Sequence, residues 1–561
     1  MRGGRYHAAL CLSLLSGLAL AEPRFQTGDR ATDALQELLA PALEANRKSL
    51  LGATGRVEAF GAGDAYPQIW LRDSATLVPL ARWGYTRDVL ASWIEEHLAH
   101  QQPDGSLHDW IAAGPAAGFR EWAPRAREVF SSGATVICAD KNTTEADQEA
   151  SAIDAAWQVW RLTGDDPWLR KRVGGRRLFD RLHDALQFVV RSRQDRGTGL
   201  VANALTADWG DVSPVYGDQR AIYADARTPL VVGLYTNALA ARAAGQLAEM
   251  ATSVDDAVRS AYWRTRGAAL RAAIQRHLWQ EARGYFRMHL PLPPRPGPDG
   301  GAYAWPLAEA LQDDGARFAL GGNAIAILAG VADAAQSRRI LAAAEASREA
   351  ARLPSVGAVL LPPFPRGAFL HPALREPWSY QNGGAWDWFA GRLVLAEFLA
   401  GRSRLARAHL AAIAGRAQRA GGLFEWYTRD GAGQGSSRYA GSAAALGQAV
   451  VEGLFGVDLR HGRLDLRVRL DRSGAIRLRE PATSSAIDLR CQVDPRRLVL
   501  ELETNVAVGQ AAILLPSGTR VAETRIGGSP GAFATEAVGE DVFAVVRGGQ
   551  GPLRIDVLLE R

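Results

Sequence analysis

The sequence predicts a mainly α protein with a smaller β domain at its C-terminal end. Three observations carry that prediction. Apolar residues recur at helical spacing through residues 30–457. Long loops rich in Trp, Tyr, Gly and Asp separate the periodic stretches. From about residue 458 the chain turns to short alternating runs broken by Gly, Pro and Asp.

The elements follow in order. Arg2 and Arg5 precede an apolar run from Ala8 to Leu18, and Ala19-Leu20-Ala21 offers a small-residue cleavage site. Residues 1–21 therefore read as a secretory signal peptide, which takes Cys11 with it and places the protein outside the cytoplasm, secreted or periplasmic. The run is too short to span a bilayer, and no later stretch is long enough, so no membrane association is expected after cleavage.

Residues 22–457 form the catalytic candidate. Helical periodicity covers 32–50, 75–83, 87–100, 145–163, 173–193, 230–252, 253–279, 322–328, 333–346, 384–400, 403–420 and 442–455, with no convincing strand between them. Such an array is a bundle, a solenoid or a toroid. A solenoid would show a fixed period, and none is visible. Residues 458–561 form the β domain, in which 463–470, 497–503, 511–516 and 553–559 alternate as the strands of an antiparallel sandwich.

Composition excludes several functions. The net charge of +5 comes from Arg dispersed among Asp and Glu, without the basic, aromatic-interleaved blocks of a nucleic-acid binder. The mature chain keeps only Cys138 and Cys491, far apart in sequence, so no pairing is predicted. No CxxC, HExxH or His cluster suggests a metal, and no P-loop, dinucleotide fingerprint or Gly-x-Ser-x-Gly elbow is present.

Four loops collect acids and aromatics. The first, Tyr66-Pro67-Gln68-Ile69-Trp70-Leu71-Arg72-Asp73-Ser74, precedes a helix that Asp73 or Ser74 could simply cap. Trp70 beside Arg72 and Asp73 also suits a sugar, whose CH groups stack on aromatic faces and whose hydroxyls both donate and accept. In the second, Glu145, Asp147 and Gln148 follow a Thr capping pattern, yet place more acceptors in one turn than capping needs. The third, Asp208-Trp209-Gly210-Asp211, is either an Asx turn or a general acid beside an aromatic wall, where apolar packing keeps a carboxyl protonated. The fourth pairs Asn382 and Trp386, next to Gly383-Gly384, with Glu425 and Tyr427 in Phe424-Glu425-Trp426-Tyr427. An acid and an ionised carboxylate across a scissile bond are what glycoside hydrolysis requires.

At these residues the chain resembles the six-hairpin glycosidases. These include trehalases, family 63 α-glucosidases, the glucosidase half of glycogen-debranching enzymes, glucoamylases and rhamnosidases. Ile69-Trp70-Leu71-Arg72-Asp73-Ser74 is similar to their substrate-binding segment, especially that of the family 125 exo-mannosidases. Trp209-Gly210-Asp211, followed by residues 229–239 with Asn237-Ala238-Leu239, resembles the family 63 pattern that carries the general acid. That places the acid on Asp211, with Asp208 as the alternative. Phe424-Glu425-Trp426-Tyr427 ahead of Ser442-Ala443-Ala444 resembles the segment that carries the base, which places the base on Glu425. The C-terminal β region is more like that of rhamnosidases.

The resemblance implies an (α/α)6 toroid and an exo-acting, inverting glycosidase acting on a terminal α-linked glucose or related hexose, with no cofactor. Asp211 and Glu425 should face each other across a pocket walled by Trp70, Trp209 and Trp386. Asp211 should be the less solvated of the pair. Rival readings are a polysaccharide lyase using His97, His100, His108 or His371, a phosphorylase with a phosphate site at residues 431–438, and a non-catalytic glycan-binding protein.

Overall fold

A computed structural model describes residues 23–293, 314–549 and 551–560. The proposed signal peptide lies outside the described residues, as do residues 294–313. Among the described residues, six helices form the centre: Leu71–Ala81, Gln148–Thr163, Leu234–Ser253, Leu320–Leu328, Asp387–Leu399 and Ala440–Gln448. Each packs on the next and the last returns to the first, which closes a ring. Their sequences explain the position. Leu234–Ser253 buries residues around its whole circumference, the pattern of a helix surrounded by others. Small residues permit the close approach: a Cβ on Gly391 would lie 2.7 Å from the backbone of Ala445 on the neighbouring helix.

A second set packs on the first, each member adjacent to an inner helix: Gln36–Ala45, Arg87–Ala99, Leu178–Arg193, Ala257–Leu278, Ala334–Ala350 and Ser403–Ala420. Several caps match the sequence, such as Asp333 with Gln336 in a reciprocal capping box and Gly421 in the left-handed conformation after Ala420.

The expectation of a strand-free helical region is corrected. Arg47–Gly52 and Gly55–Phe60 form a hairpin where the helix predicted over 32–50 should have continued. Ile69–Trp70, Trp110–Ala113, Thr135–Asp140 and Arg127–Ser132 make a four-stranded sheet, in that order. Leu230–Gly233, predicted helical, is the middle strand of three. These strands are two to six residues long, too short for a period-two pattern to stand out. The hairpin packs on the outer helix Arg87–Ala99, and Ile69–Trp70 and Leu230–Gly233 lead directly into inner helices.

The β domain contains a seven-stranded and a five-stranded sheet whose inward faces join the same apolar core as the helices. Two details depart from the antiparallel expectation and its boundary. Arg463–Val468 and Ala507–Leu514 run parallel. Arg24–Gln26, from the other end of the chain, adds an edge strand beside Gly474–Glu480. Cys138 and Cys491 are both buried and free.

Candidate active site

The starts of the inner helices and the loops before them enclose a cavity of about 500 Å3. Its wall contains Trp70, Arg72, Asp73, Glu145, Trp209, Asp211, Trp386 and Glu425, brought together from distant segments of the chain. Helix N-termini carry partial positive charge, which favours the acids gathered there.

Arg72 organises one side. It is buried in the first turn of Leu71–Ala81 and pairs with Glu145 at 3.2 Å and Asp147 at 3.4 Å. Its Nη1 also donates to the Trp209 carbonyl at 3.1 Å, and its guanidinium lies 5.8 Å from the rings of both Trp209 and Trp388. Burial works against the Arg72 charge, and Glu145 and Asp147 overcome it and hold the cation. Burial likewise raises the carboxyl of Asp73, which Arg72 and the Tyr439 hydroxyl, donating at 2.8 Å, draw back in part. Glu145 is pushed well up by burial despite Arg72. Gln148 donates to Glu145 at 2.9 Å and to the Asn142 carbonyl at 3.1 Å, so it and Asp147 brace the wall from behind.

The two central carboxyls sit differently. Asp211 is half-buried and lines the cavity, and its Oδ1 receives the Gln381 amide at 2.8 Å. Asn142 donates to the Asp211 carbonyl at 2.7 Å and fixes the loop. Glu425 is only 6% exposed. The Tyr66 hydroxyl donates to its Oε2 at 2.7 Å, and the Ser436 amide approaches at 3.4 Å. Burial lifts the Glu425 pKa to about 7, with Tyr66 and Ser436 opposing and the charge of Asp211 adding to the rise. The burial order is thus the reverse of the expectation. Glu425 lies under Tyr66 and against the turn at Gly435, where a Cβ would crowd its carboxylate, whereas Asp211 opens to the cavity.

Three further residues expected at the site hold its scaffold instead, as Asp147 and Gln148 do. Asp208 adopts φ 56° and points away from the cavity, both carboxylate oxygens accepting the Gly322 amide at 3.1 Å at the start of Leu320–Leu328. Burial raises its pKa to about 7, against the Gly322 and Gly321 amides. Asn382 clamps its own loop by bonding the Phe364 amide and the carbonyls of Phe364 and Leu374. Tyr427 is spent on the Gly422 carbonyl and the Phe424 amide.

The structure also brings in residues that the sequence reading did not single out. Tyr66, Asp109, Trp110, Trp122, Asp140, Tyr380, Trp388 and Tyr439 line the cavity, and Gln381 reaches Asp211. Tyr66 lies within a segment already marked. Trp110 enters only because it is the cross-strand partner of Trp70, a relation that sequence spacing does not announce. Among the described residues, no histidine lines the cavity.

With this geometry in place, the similarities to known proteins are specific. The family model described as the mannosylglycerate hydrolase MGH1-like glycoside hydrolase domain matches residues 66–442, a span that contains every cavity-lining residue named above. The structure of an α-L-rhamnosidase from Streptomyces avermitilis complexed with L-rhamnose superposes with a TM-score of 0.58 at 14% identity, covering 96% of this chain and 42% of that one. An α-L-rhamnosidase from Dictyoglumus thermophilum gives 0.59 at 11% identity, with 96% and 50% covered. A family 63 mannosylglycerate hydrolase from Thermus thermophilus in complex with glucose gives 0.47 at 20% identity, with 73% and 98% covered. The chain spans half or less of the two rhamnosidases, and at these identities the likeness is one of fold. No curated protein matches the sequence.

Proposed function

Since the chain belongs to the mannosylglycerate hydrolase MGH1-like glycoside hydrolases, we propose that it is an exo-acting, inverting member that removes a terminal hexose from an oligosaccharide or glycan. The closed ring of six helices with helices packed outside it supports reading residues 22–457 as an (α/α)6 toroid. One observation carries the mechanistic reading: Asp211 and Glu425, from loops far apart in sequence, line one cavity together with Trp70, Trp209 and Trp386.

Asp211 is the general acid, protonating the departing glycosidic oxygen as that bond breaks. Glu425 is the general base. It takes a proton from a water that attacks the anomeric carbon on the opposite face, which requires a gap of roughly 6.5–9.5 Å between the carboxyls. The Tyr66 hydroxyl donating to Glu425 supports this role, because it leaves the carboxylate as an acceptor held in one orientation. Arg72 and Asp73 hydrogen-bond sugar hydroxyls, and the tryptophans bound the ring faces.

The exchanged assignment, with Glu425 as acid, is favoured by one feature. Glu425 is the more buried carboxyl, with a pKa raised to about 7, which suits a proton donor. The two assignments differ in which variant is rescued by a good leaving group.

The sugars named for the relatives, mannose in mannosylglycerate and L-rhamnose, join glucose in the first screen of aryl glycosides and oligosaccharides. Turnover of any of these, lost in Asp211→Asn and Glu425→Gln, is the expected result. Absence of turnover across the screen would contradict the reading. The N-terminal pattern supports export as a secreted or periplasmic enzyme, checked by sequencing the exported protein, which should begin near Glu22.

A further inference from the structure

One wall of the cavity is not explained by the chemistry at Asp211 and Glu425. A 3-10 turn at Ala116–Phe119 carries the chain to Trp122, which lines the cavity while remaining 39% exposed. Large aromatic side chains are usually covered, because they bury more apolar surface than almost any other. Here the exposed indole is held in place. Its ring centroid lies 5.9 Å from Trp70 at 33° and 5.4 Å from Trp110 at 39°. Trp110 is backed in turn by Phe119 at 5.1 Å. Trp70 and Trp110 are direct partners across adjacent strands, so the sheet fixes the spacing of the two inner indoles.

Trp70 and Trp122 make an aromatic shelf, with Trp110, 1% exposed, packed behind them. It starts beside Arg72 and Asp73, at the head of Leu71–Ala81, and ends at the solvent-exposed edge of Trp122. Asp140 and Asn142, which also line the cavity, supply polar atoms beside the shelf.

Charge narrows what can lie there. The described wall carries the carboxyl groups of Asp73, Asp109, Asp140, Glu145, Asp211 and Glu425. Against them stands Arg72, already committed to Glu145, Asp147 and the Trp209 carbonyl. A leaving group bearing a carboxylate would meet no uncommitted cation among the described wall residues. An uncharged pyranose offers CH faces to the indoles and hydroxyls to the acids.

We infer that Trp70 and Trp122, backed by the buried Trp110, form the leaving-group subsite, and that it takes an uncharged pyranosyl unit in preference to a small carboxylate-bearing group such as glycerate. This rests on reading the cavity as the hydrolase site. Trp122 is then a specificity-determining residue whose exposed face is completed by substrate.

The test uses the full chain and α-linked disaccharides of mannose, glucose and rhamnose. Each is paired with the methyl glycoside of its terminal sugar, and mannosylglycerate is added. For the sugar that is turned over, the disaccharide should have the highest kcat/KM. Trp122→Ala should lower that value about tenfold more than it lowers the value for the methyl glycoside, the scale expected from uncovering part of an indole face. Trp122→Phe, which keeps a flat ring, should recover most of the difference.

Equal losses on both substrates, or mannosylglycerate as the best substrate, would overturn the inference while leaving the hydrolase reading intact. If nothing is turned over, the hydrolase reading fails, and binding decides the subsite. Quenching of tryptophan fluorescence should be stronger for a disaccharide than for its methyl glycoside, and Trp122→Ala should abolish that difference. Identical titrations for the two ligands would overturn the subsite as well.

Discussion

The two ends of the helical ring face opposite demands. At the end where the inner helices start, among the described residues, six carboxyl groups and six tryptophans surround one guanidinium and an open cavity. At the other end a second cavity, lined by Arg82, Arg161, Arg242, Arg392 and Arg460 interleaved with Asp154, Glu452 and Asp458, adjoins the first strand of the β domain. Helix dipoles favour this division, with anions near N-termini and cations near C-termini. The partners of the charges differ more than their signs. Arg242 is matched by Asp154 at 2.9 Å and Arg161 by Asp458 at 3.4 Å, and Arg82 binds Glu480 of the β domain. Those charges serve assembly. At the first end Asp211 and Glu425 are held by an amide and a hydroxyl, and among the described residues no cation pairs with either. Carboxyls restrained in this way keep their proton chemistry available to a substrate.

The largest effect that sharpens this contrast is on turnover. Asp211→Asn and Glu425→Gln should each lower kcat by about 10³-fold or more, because the proposed acid and base both act in the transition state. Arg242→Ala, at the other end, should leave kcat unchanged and cost up to ~1 kcal/mol in denaturant unfolding, because its ion pair is partly exposed. A kcat loss in Arg242→Ala comparable to that of the carboxyl variants would break the division between the ends.

Arg72→Ala should come next. It leaves Glu145 and Asp147 buried without their cation, and removing one partner of a buried pair costs about 3–5 kcal/mol. Both stability and activity should fall, read by urea unfolding and steady-state rates.

The pH dependence should be smaller but diagnostic. As base, Glu425 must be ionised, and its pKa is raised to about 7, so kcat/KM should fall as the pH drops through about 7. Tyr66→Phe removes a donor that favours the ionised form. The acid limb should therefore move to higher pH in that variant. An unmoved limb would mean that Glu425 does not set it.

The smallest effect on turnover belongs to Asp208, which sits behind the wall. Asp208→Asn should retain kcat within a few-fold. Its pKa is raised from the ordinary carboxyl range to about 7. Native protein therefore holds a proton that the unfolded chain releases, and stability contributed at low pH is lost as pH rises from about 4 to 7. The variant should flatten that part of the stability-pH curve.

Much of the fold was legible because helices are long and their pattern repeats. The periodicity over residues 403–420 coincides with the helix Ser403–Ala420. The helix read from residue 75 starts earlier, at Leu71, since Arg72 and Asp73 look like loop residues until burial and pairing are seen. That Asp211 and Glu425 line one cavity was legible from the aromatic residues around them, but the places of their neighbours were not. Asp208 and Asp211 flank the same Trp-Gly turn, and only the left-handed backbone at Asp208 shows that one turns inward to a helix start and the other outward to the cavity. Asn382 and Tyr427 looked like substrate contacts because polar and aromatic residues of the same types also clamp loops. Tyr66 and the Trp122 end of the shelf depend on contacts between strands and loops, which leave no local pattern.

The central claim is that Asp211 protonates the leaving group and Glu425 activates water. It is tested most directly by the leaving-group dependence of the two amide variants. A dinitrophenyl glycoside departs without a proton, whereas a disaccharide needs one. Asp211→Asn should therefore retain far more activity on the dinitrophenyl glycoside than on the disaccharide, and Glu425→Gln should lose activity on both alike. If Glu425→Gln is the variant spared by the dinitrophenyl leaving group and Asp211→Asn is crippled on both, the roles are exchanged and the account is contradicted.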